Sequence, residues 1–266
     1  MRPALLPINP IESALTVPPA PTLPSQANMD WKQRLFDSYV STGQTQAPHD
    51  LARQPNPYID HLIRKHLPSD RNISILDIAC GHGRLLFQLK SKGYQNLAGV
   101  DVSPEQVHLA HQLGIPSVTC GDLFDYLKTV PDQSQDVVFL MDILEHLSPQ
   151  ETLDLLDAAH RVLKSSGRLI AHGPNGEGLF AMRVRYGDFT HTQAFTQQSI
   201  SQVLKSCRFF QIGCHEDKPL VYGLKSFVRR ILWDLLTVPH RLLLAAESGT
   251  FSGILSQNLL VTAIRP

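Results

Sequence analysis

Between Ile73 and His172 the chain repeats one unit: a short, almost wholly apolar run, a turn, and a stretch of helical period. The runs are Ile73 to Ala79, Asn96 to Val102, Ser117 to Cys120, Asp136 to Met141 and Arg168 to His172. They are too short for buried helices and lack the polar alternation of a half-exposed sheet, so they predict strands buried on both faces. Helices fill the intervals, to about Lys92, from Ser103-Pro104, to about Thr129, and over Pro149 to Lys164. Ser103 is a good N-cap and Pro104 suits the first helical position. This alternation specifies a parallel sheet with helices on both faces. A last unit follows: helix Thr196 to Cys207, strand Arg208 to Cys214, amphipathic segment Gly223 to Ala246 and strand Gln257 to Ile264. No internal repeat is present.

The first four runs place Asp77, Asp101, Asp122 and Asp142 at their C-terminal ends. A single aspartate there reads as a helix N-cap, but four along one edge of an open parallel sheet mark the edge where such folds bind ligands. In Leu76-Asp77-Ile78-Ala79-Cys80-Gly81-His82-Gly83-Arg84 the strand turns into a helix through small residues, which lets a ligand approach the backbone and the unpaired N–H groups of the helix. Asp101 lies eighteen residues beyond Gly83, where a dinucleotide-type fold holds a ribose diol. A pyrophosphate suits the turn poorly. Leu86 stands where G-x-G-x-x-G has its last glycine, and Asp77 repels phosphate.

On these residues the chain resembles the class I S-adenosylmethionine-dependent methyltransferases, over roughly Ile73 to Pro266. The resemblance implies an α/β fold: a doubly wound, mostly parallel, seven-stranded Rossmann-like sheet with a C-terminal helical cap, in a domain spanning 71–266; before it, the helix-like apolar spacing of Trp31 to Val40 and Tyr58 to Leu67 predicts a helical N-terminal flank over 31–70. The resemblance also implies S-adenosylmethionine as methyl donor and S-adenosylhomocysteine as product. Asp77 with Ala79, Cys80, Gly81 and Gly83 would cradle the amino-acid portion; Asp101 and Val102 would hold the ribose; Asp122 and Leu123 would flank the adenine. Met141, Asp142 and His146, within Met141 to Leu147, resemble the motif beside the sulfonium. Ala79 departs from the family, which usually has glycine there.

Asp188-Phe189-Thr190-His191 followed by Ala194-Phe195-Thr196 resembles methyltransferases of bacterial surface-polysaccharide and lipid-linked glycan synthesis. That implies O-methylation of a saccharide or related small hydroxylated acceptor, bound in an insertion at about 174–195. A hydroxyl must lose a proton to accept a methyl group, and His191 oriented by Asp188 is the candidate base, with His146 its rival. Arg183 and Arg185 are candidate contacts for an anionic acceptor. A quinone-type or natural-product acceptor is the second reading, and a non-catalytic scaffold retaining the fold is the reading from another class. Met-Asp-Ile-Leu-Glu-His after the fourth strand is not the Asn/Asp-Pro-Pro-Tyr pattern of amino-methylating nucleic-acid enzymes.

Charge bears on the acceptor. Lys+Arg number 24 and Asp+Glu 24, a net charge of zero that argues against a general nucleic-acid binder. The total hides a segregation: Asp122 to Asp157 has nine acids and only Lys128, whereas from Ala158 onward thirteen Lys/Arg face six Asp/Glu. Gly223 to Ala246 carries four Lys/Arg against Asp234, beside a stripe of Leu224, Phe227, Val228, Ile231, Leu235 and Leu236. Its charges and Pro239 exclude a membrane span. Packing on the sheet, lidding the pocket, a dimer contact and lying on an anionic membrane surface stay open for it.

His108 and His111 sit three apart without an accompanying acid, so no metal is expected. Cys80, Cys120, Cys207 and Cys214 form no CxxC pair and read as free thiols. Met1 to Asp30 holds seven prolines and reads as a disordered tail rather than an export signal. A cytoplasmic location, peripheral at the inner face of the membrane if the amphipathic segment binds lipid, is the corresponding expectation.

Overall fold

A computed structural model describes residues 30–43 and 54–266. The tail expected over 1–30 lies outside the described residues except for Asp30. Trp31–Asp37 (α1) and Pro57–His66 (α2) precede the first strand, Ser74–Ile78 (β1). Arg84–Ser91 (α3), Asn96–Asp101 (β2), Pro104–Gln112 (α4), Val118–Cys120 (β3), Leu123–Thr129 (α5), Gln135–Met141 (β4), Pro149–Val162 (α6) and Leu163–Pro174 (β5) follow in alternation. Ala181–Arg185 (α7), Gln197–Ser206 (α8), Phe210–Glu216 (β6), Leu224–Leu236 (α9), Val238–Ser248 (α10) and Asn258–Ile264 (β7) complete the chain.

The helices start where side chains satisfy their free N–H groups. Ser103 caps α4 and Asp122 caps α5, while Ser148 and Glu151 form a reciprocal capping box on α6 with Pro149 at its first position. Several boundaries differ from the sequence reading, among them the strand expected over Arg168 to His172, which spans Leu163–Pro174, and two have a local cause. The helix expected to reach Lys164 stops at Val162, because Leu163 already pairs with Gln135 in the sheet before a bulge. The strand expected from Arg208 begins at Phe210, because Arg208 adopts a left-handed conformation (φ 67°) as the chain leaves α8.

Seven strands form one sheet in the order β3-β2-β1-β4-β5-β7-β6. Pairing is parallel from β3 to β5, and β7 is antiparallel to both β5 and β6. This is the doubly wound Rossmann-like sheet. Its strands alternate between two apolar cores: Leu76, Ile78, Val138 and Leu140 enter one, with α6 and α8, and Ile75, Val137 and Phe139 enter the other, with α2, α3 and α4. The near-continuous apolar character of the strands follows from burial on both faces. The order of strands reverses between β1 and β4, which opens a crevice outside their C-terminal ends.

The amphipathic segment becomes two helices. α9 ends before Val238, and Pro239 takes a first-turn position in α10, where its missing N–H is harmless. Packing of the apolar stripe on the sheet is not what the structure has: Leu224 is 79% exposed, Leu243 69%, and Leu235 and Leu236 are also exposed. Neither core includes an α9 or α10 side chain. Among the described residues, no helix is long and apolar enough to cross a membrane.

Candidate active site

The crevice at the switch point is a cavity of about 260 Å³, small for a ligand site because α1 closes over it. Ala79, Gly81, Asp101, Val102, Asp122, Leu123, Asp142 and His146 line it from the sheet edge, Lys32 and Phe36 from α1, and Tyr39 from the turn that follows α1. The lid is tied down by Lys32 Nζ donating to the His146 carbonyl (2.8 Å), Tyr39 Oη donating to Asp188 (2.6 Å), and the Val40 N–H donating to Glu105 (3.0 Å).

Asp77, in β1, is not itself among the lining residues of the cavity; it is 2% exposed and its Oδ1 has no hydrogen-bond partner. Burial, reinforced by the neighbouring charge of Asp101, holds its carboxyl well above the usual range. An unpartnered acid of this kind is suited to a cationic ligand group. Asp101 accepts the Gly81 N–H (2.7 Å) on one oxygen and the Ser103 N–H (2.9 Å) on the other, which fixes the carboxylate at the cavity wall with lone pairs to spare. Burial raises the Asp101 pKa, and the two N–H bonds oppose it.

The turn between these acids is strongly left-handed: Ala79 (φ 58°), Gly81 (φ 55°) and Gly83 (φ 73°) all have positive φ. For Ala79 this conformation costs about 1–2 kcal/mol, so the missing glycine is a matter of backbone strain more than of an added methyl group in the ligand's space. Gly83 is the N-cap of α3, and a Cβ there would stand 3.2 Å from the Ala110 side chain.

At the end of β4, Asp142 is also left-handed (φ 55°), a conformation that aspartate tolerates. Its Oδ1 meets His172 Nδ1 at 2.6 Å, and His172 Nε2 meets Asp217 at 3.4 Å. Burial alone would lower the His172 pKa, but the Asp142 carboxylate and then Asp217 outweigh it and raise it to about 10. Burial works against Asp142 as well, and His172 more than compensates, holding its carboxyl below the usual range. Asp142 faces the open cleft with 56% of its side chain exposed, so water screens this pair from one side.

Beyond Asp142 the chain makes a single 3-10 turn, Leu144–His146. The segment after α7 docks on that turn: Thr192 and Gln193 donate backbone N–H bonds to the Glu145 carbonyl (2.8 and 3.3 Å), and Gln193 Nε2 donates to the Leu144 and Leu147 carbonyls. This docking brings the His146 and His191 rings to 4.7 Å between centroids and His191 Nε2 to 4.0 Å from Glu145 Oε1. Glu145 is 1% exposed and its Oε2 has no partner. Burial, and then Asp142, push its pKa up to about 8. Burial, and then His191, push His146 down to about 4.

The expected Asp188–His191 pair does not form. Asp188 accepts from Tyr39 Oη and from the N–H and hydroxyl of Thr190, while Thr190 Oγ1 lies 2.7 Å from His146 Nδ1. Asp188 thus orients His146, through Thr190, and His191 Nδ1 is held instead by the Val184 carbonyl (3.1 Å). Arg185, expected to meet an anionic acceptor, donates to the His191 and Thr192 carbonyls. Arg183 is exposed on α7.

Of the residues expected to hold a cofactor, Ala79, Gly81, Asp101, Val102, Asp122, Leu123, Asp142 and His146 meet at the cavity. Asp122 is also the N-cap of α5, so both readings of that acid apply. Cys80 and Met141 pack against the second core instead, and Gly83 acts through the turn. Glu145, His172, Thr190 and Tyr39 escaped the sequence reading. A buried glutamate beside a histidine in Leu144-Glu145-His146 was the one local signal available.

Residues 76–171 match the family model for a methyltransferase domain. A tRNA U34 carboxymethyltransferase of Hydrogenovibrio crunogenus is 26% identical over 166 residues, covering 57% of this chain and 49% of that protein. An ajmaline N-methyltransferase of Rauvolfia serpentina is 32% identical over 89 residues, 32% of this chain and 31% of that one. The chain thus spans half or less of the length of these curated relatives. A crystal structure of an S-adenosylmethionine-dependent methyltransferase from Archaeoglobus fulgidus superposes with a TM-score of 0.60 at 20% identity, over 88% of this chain and 100% of that one, a likeness of fold. Residues 76–171 are thus similar to a methyltransferase domain, and the unpartnered Asp77 and the small-residue turn suit the ammonium-bearing end of S-adenosylmethionine.

Asp77→Asn removes a buried acid that lacks a partner. It is expected to raise the melting temperature of the cofactor-free protein while weakening S-adenosylmethionine binding about ten- to hundredfold, the worth of one hydrogen bond to a charged group. Calorimetry and thermal unfolding check both signs. For His172 the folded pKa lies above the ordinary 6.5, so its protonation contributes stability that is fully present below pH 6.5 and lost as pH rises toward about 10. His172→Gln, neutral throughout, should flatten the fall in urea midpoint over that interval. An unchanged slope would rule the pair out as its source.

Proposed function

We propose that this chain is an S-adenosylmethionine-dependent methyltransferase that O-methylates a saccharide or a related small hydroxylated acceptor. When bound, the cofactor supplies an electrophilic methyl carbon. Asp77 holds its ammonium group, Asp101 its ribose hydroxyls, and Asp122 with Leu123 flank its base. Asp142 and His146, which line the same cavity, would stand beside its reactive end, and orientation of this kind can supply much of the rate enhancement.

The observation that carries the acceptor reading is the cluster of Glu145, His146 and His191 beside the cavity. A hydroxyl is a poor nucleophile until its proton is drawn off, whereas an amine with a free lone pair needs no such help. Three acceptor groups gathered next to the cofactor site therefore favour oxygen over nitrogen. The likeness of Asp188 to His191 and Ala194 to Thr196 to glycan-modifying enzymes supports a sugar. The tRNA-modifying relative suggests an RNA acceptor, but zero net charge provides little general attraction for a polyanion.

The exposed face of α9 and α10 supports an acceptor carried on a lipid. Leu224, Phe227, Leu235, Leu236 and Leu243 form an apolar surface, with Lys225, Arg229 and Arg230 beside it, a pattern suited to the interface of an anionic membrane. The same apolar face favours, as a second reading, a quinone-type acceptor.

A product-mass screen across sugar nucleotides, lipid-linked sugars and hydroxyquinones tests the acceptor. A mass gain of one methylene on a sugar is expected, with His191→Ala lowering kcat about 10²- to 10⁴-fold at unchanged cofactor affinity. Methylation confined to amines would overturn the oxygen assignment. In liposome flotation, binding to vesicles rich in anionic lipid, reduced by Leu235→Glu with Leu236→Glu, is the expected result, and no flotation of the wild type would remove the membrane role.

A further inference from the structure

Hydrogen-bond bookkeeping around Glu145, His146 and His191 determines which atoms have lone pairs. His191 Nδ1 faces the Val184 carbonyl, which can only accept, so Nδ1 carries the hydrogen and Nε2 the lone pair. Thr190 donates its hydroxyl hydrogen to Asp188 Oδ1 at 2.6 Å, so its oxygen accepts from His146 Nδ1 at 2.7 Å, and His146 Nε2 is likewise left with a lone pair. Glu145 contributes a carboxylate that is 1% exposed, with Oε2 unpartnered and Oε1 4.0 Å from His191 Nε2. That separation is too long for a hydrogen bond. One donor atom from each of the three residues lies within 4.8 Å of the others.

We propose that Glu145, His146 and His191 form a binding site for a divalent first-row transition-metal ion next to the cofactor cavity. Two imidazoles and one carboxylate are the donor set that selects zinc, iron or manganese over calcium or magnesium, and three protein ligands leave coordination positions open. Two donors about 2.1 Å from a tetrahedral ion stand about 3.4 Å apart, so the 4.0 Å between Glu145 Oε1 and His191 Nε2 contracts by about 0.6 Å when the ion binds. The surroundings are those of a metal site. Each histidine donates its other ring N–H to a fixed acceptor, the Val184 carbonyl for one and the Thr190–Asp188 pair for the other, which sets tautomer and ring orientation. Tyr39 on the lid completes the second chain by donating to Asp188 at 2.6 Å.

With the ion bound, the three groups act on an acceptor hydroxyl through it rather than as proton acceptors themselves: an open position takes the hydroxyl oxygen, whose proton then leaves more readily to water in the cleft. This role rests on the proposed O-methylation, whereas the binding of the ion does not. The site joins residues 45 apart in the chain, which is why no ligand spacing is visible in the sequence.

The test is direct binding to the full chain after chelator treatment and dialysis, by Zn²⁺ calorimetry and by the visible absorption of added Co²⁺. One ion per chain is expected, with at least a hundredfold loss of affinity in His191→Ala and a ten- to hundredfold loss in Glu145→Gln and in Thr190→Val, which touches the ion only through His146. The exposed His240→Ala serves as control and should bind as the wild type does. Circular dichroism and S-adenosylmethionine calorimetry confirm that each variant is folded. No Zn²⁺ or Co²⁺ binding by the wild type, unchanged binding in Glu145→Gln and His191→Ala, or tighter binding of Mg²⁺ than of Zn²⁺ would overturn the proposal. Ion binding without S-adenosylmethionine binding would instead overturn the methyltransferase reading and leave the metal site standing.

Discussion

The cavity-bearing edge of the sheet depends on the parallel pairing of β1 with β4, Ile75 to Ile78 against Val137 to Leu140. Because β2 and β3 lie on one side of this pair and β5 on the other, the connections leaving β1 and β4 diverge and leave a crevice between them. The same register sets Asp77 beside Phe139 in a water-poor layer, where a carboxylate without a partner is costly. Strain and desolvation are thus concentrated where a ligand is to be held: Asp77 unpartnered, Ala79 and Asp142 left-handed. The apolar strands on either side supply the stability against which these departures stand.

The lid and the acceptor side are physically continuous. Tyr39 on the N-terminal flank, Asp188 and Thr190 in the insertion and His146 after β4 form one chain of hydrogen bonds. Lys32 adds a bond to the His146 backbone. The position of α1 over the cavity therefore narrows it, and Tyr39 just beyond α1 fixes the orientation of an imidazole beside it. Burial of Asp188, Thr190 and His146 strengthens these polar contacts.

Much of the fold was legible because parallel strands covered on both faces must be apolar throughout, and capped helices announce themselves through Ser103-Pro104 and Ser148-Pro149. The acids lining the cavity were legible for the same reason: Asp101, Asp122 and Asp142 end their strands, and strand ends can be counted. The partners of those acids were not. His172 ends a strand without any sign that it faces Asp142, and Asp188 sits three residues from His191 yet bonds Thr190 and Tyr39, because the turn directs the two side chains apart. The amphipathic stripe of α9 was equally visible as a period, but period gives only an apolar face and not what covers it; here the face remains exposed.

By itself the sequence determined the local elements: strand, turn, helix, and acids at the strand ends, all set by interactions within a few residues. Tertiary structure alone decided which side chains converge. Glu145 and His146 meet His191 only because Thr192 and Gln193 are pinned to the turn after β4. His172 meets Asp142 because β4 and β5 are neighbours in the sheet, and Asp217 because β7 joins β5 to β6. Those contacts depend on sheet order and loop docking, which arise from burial summed over the whole chain and leave no spacing in the sequence to be read.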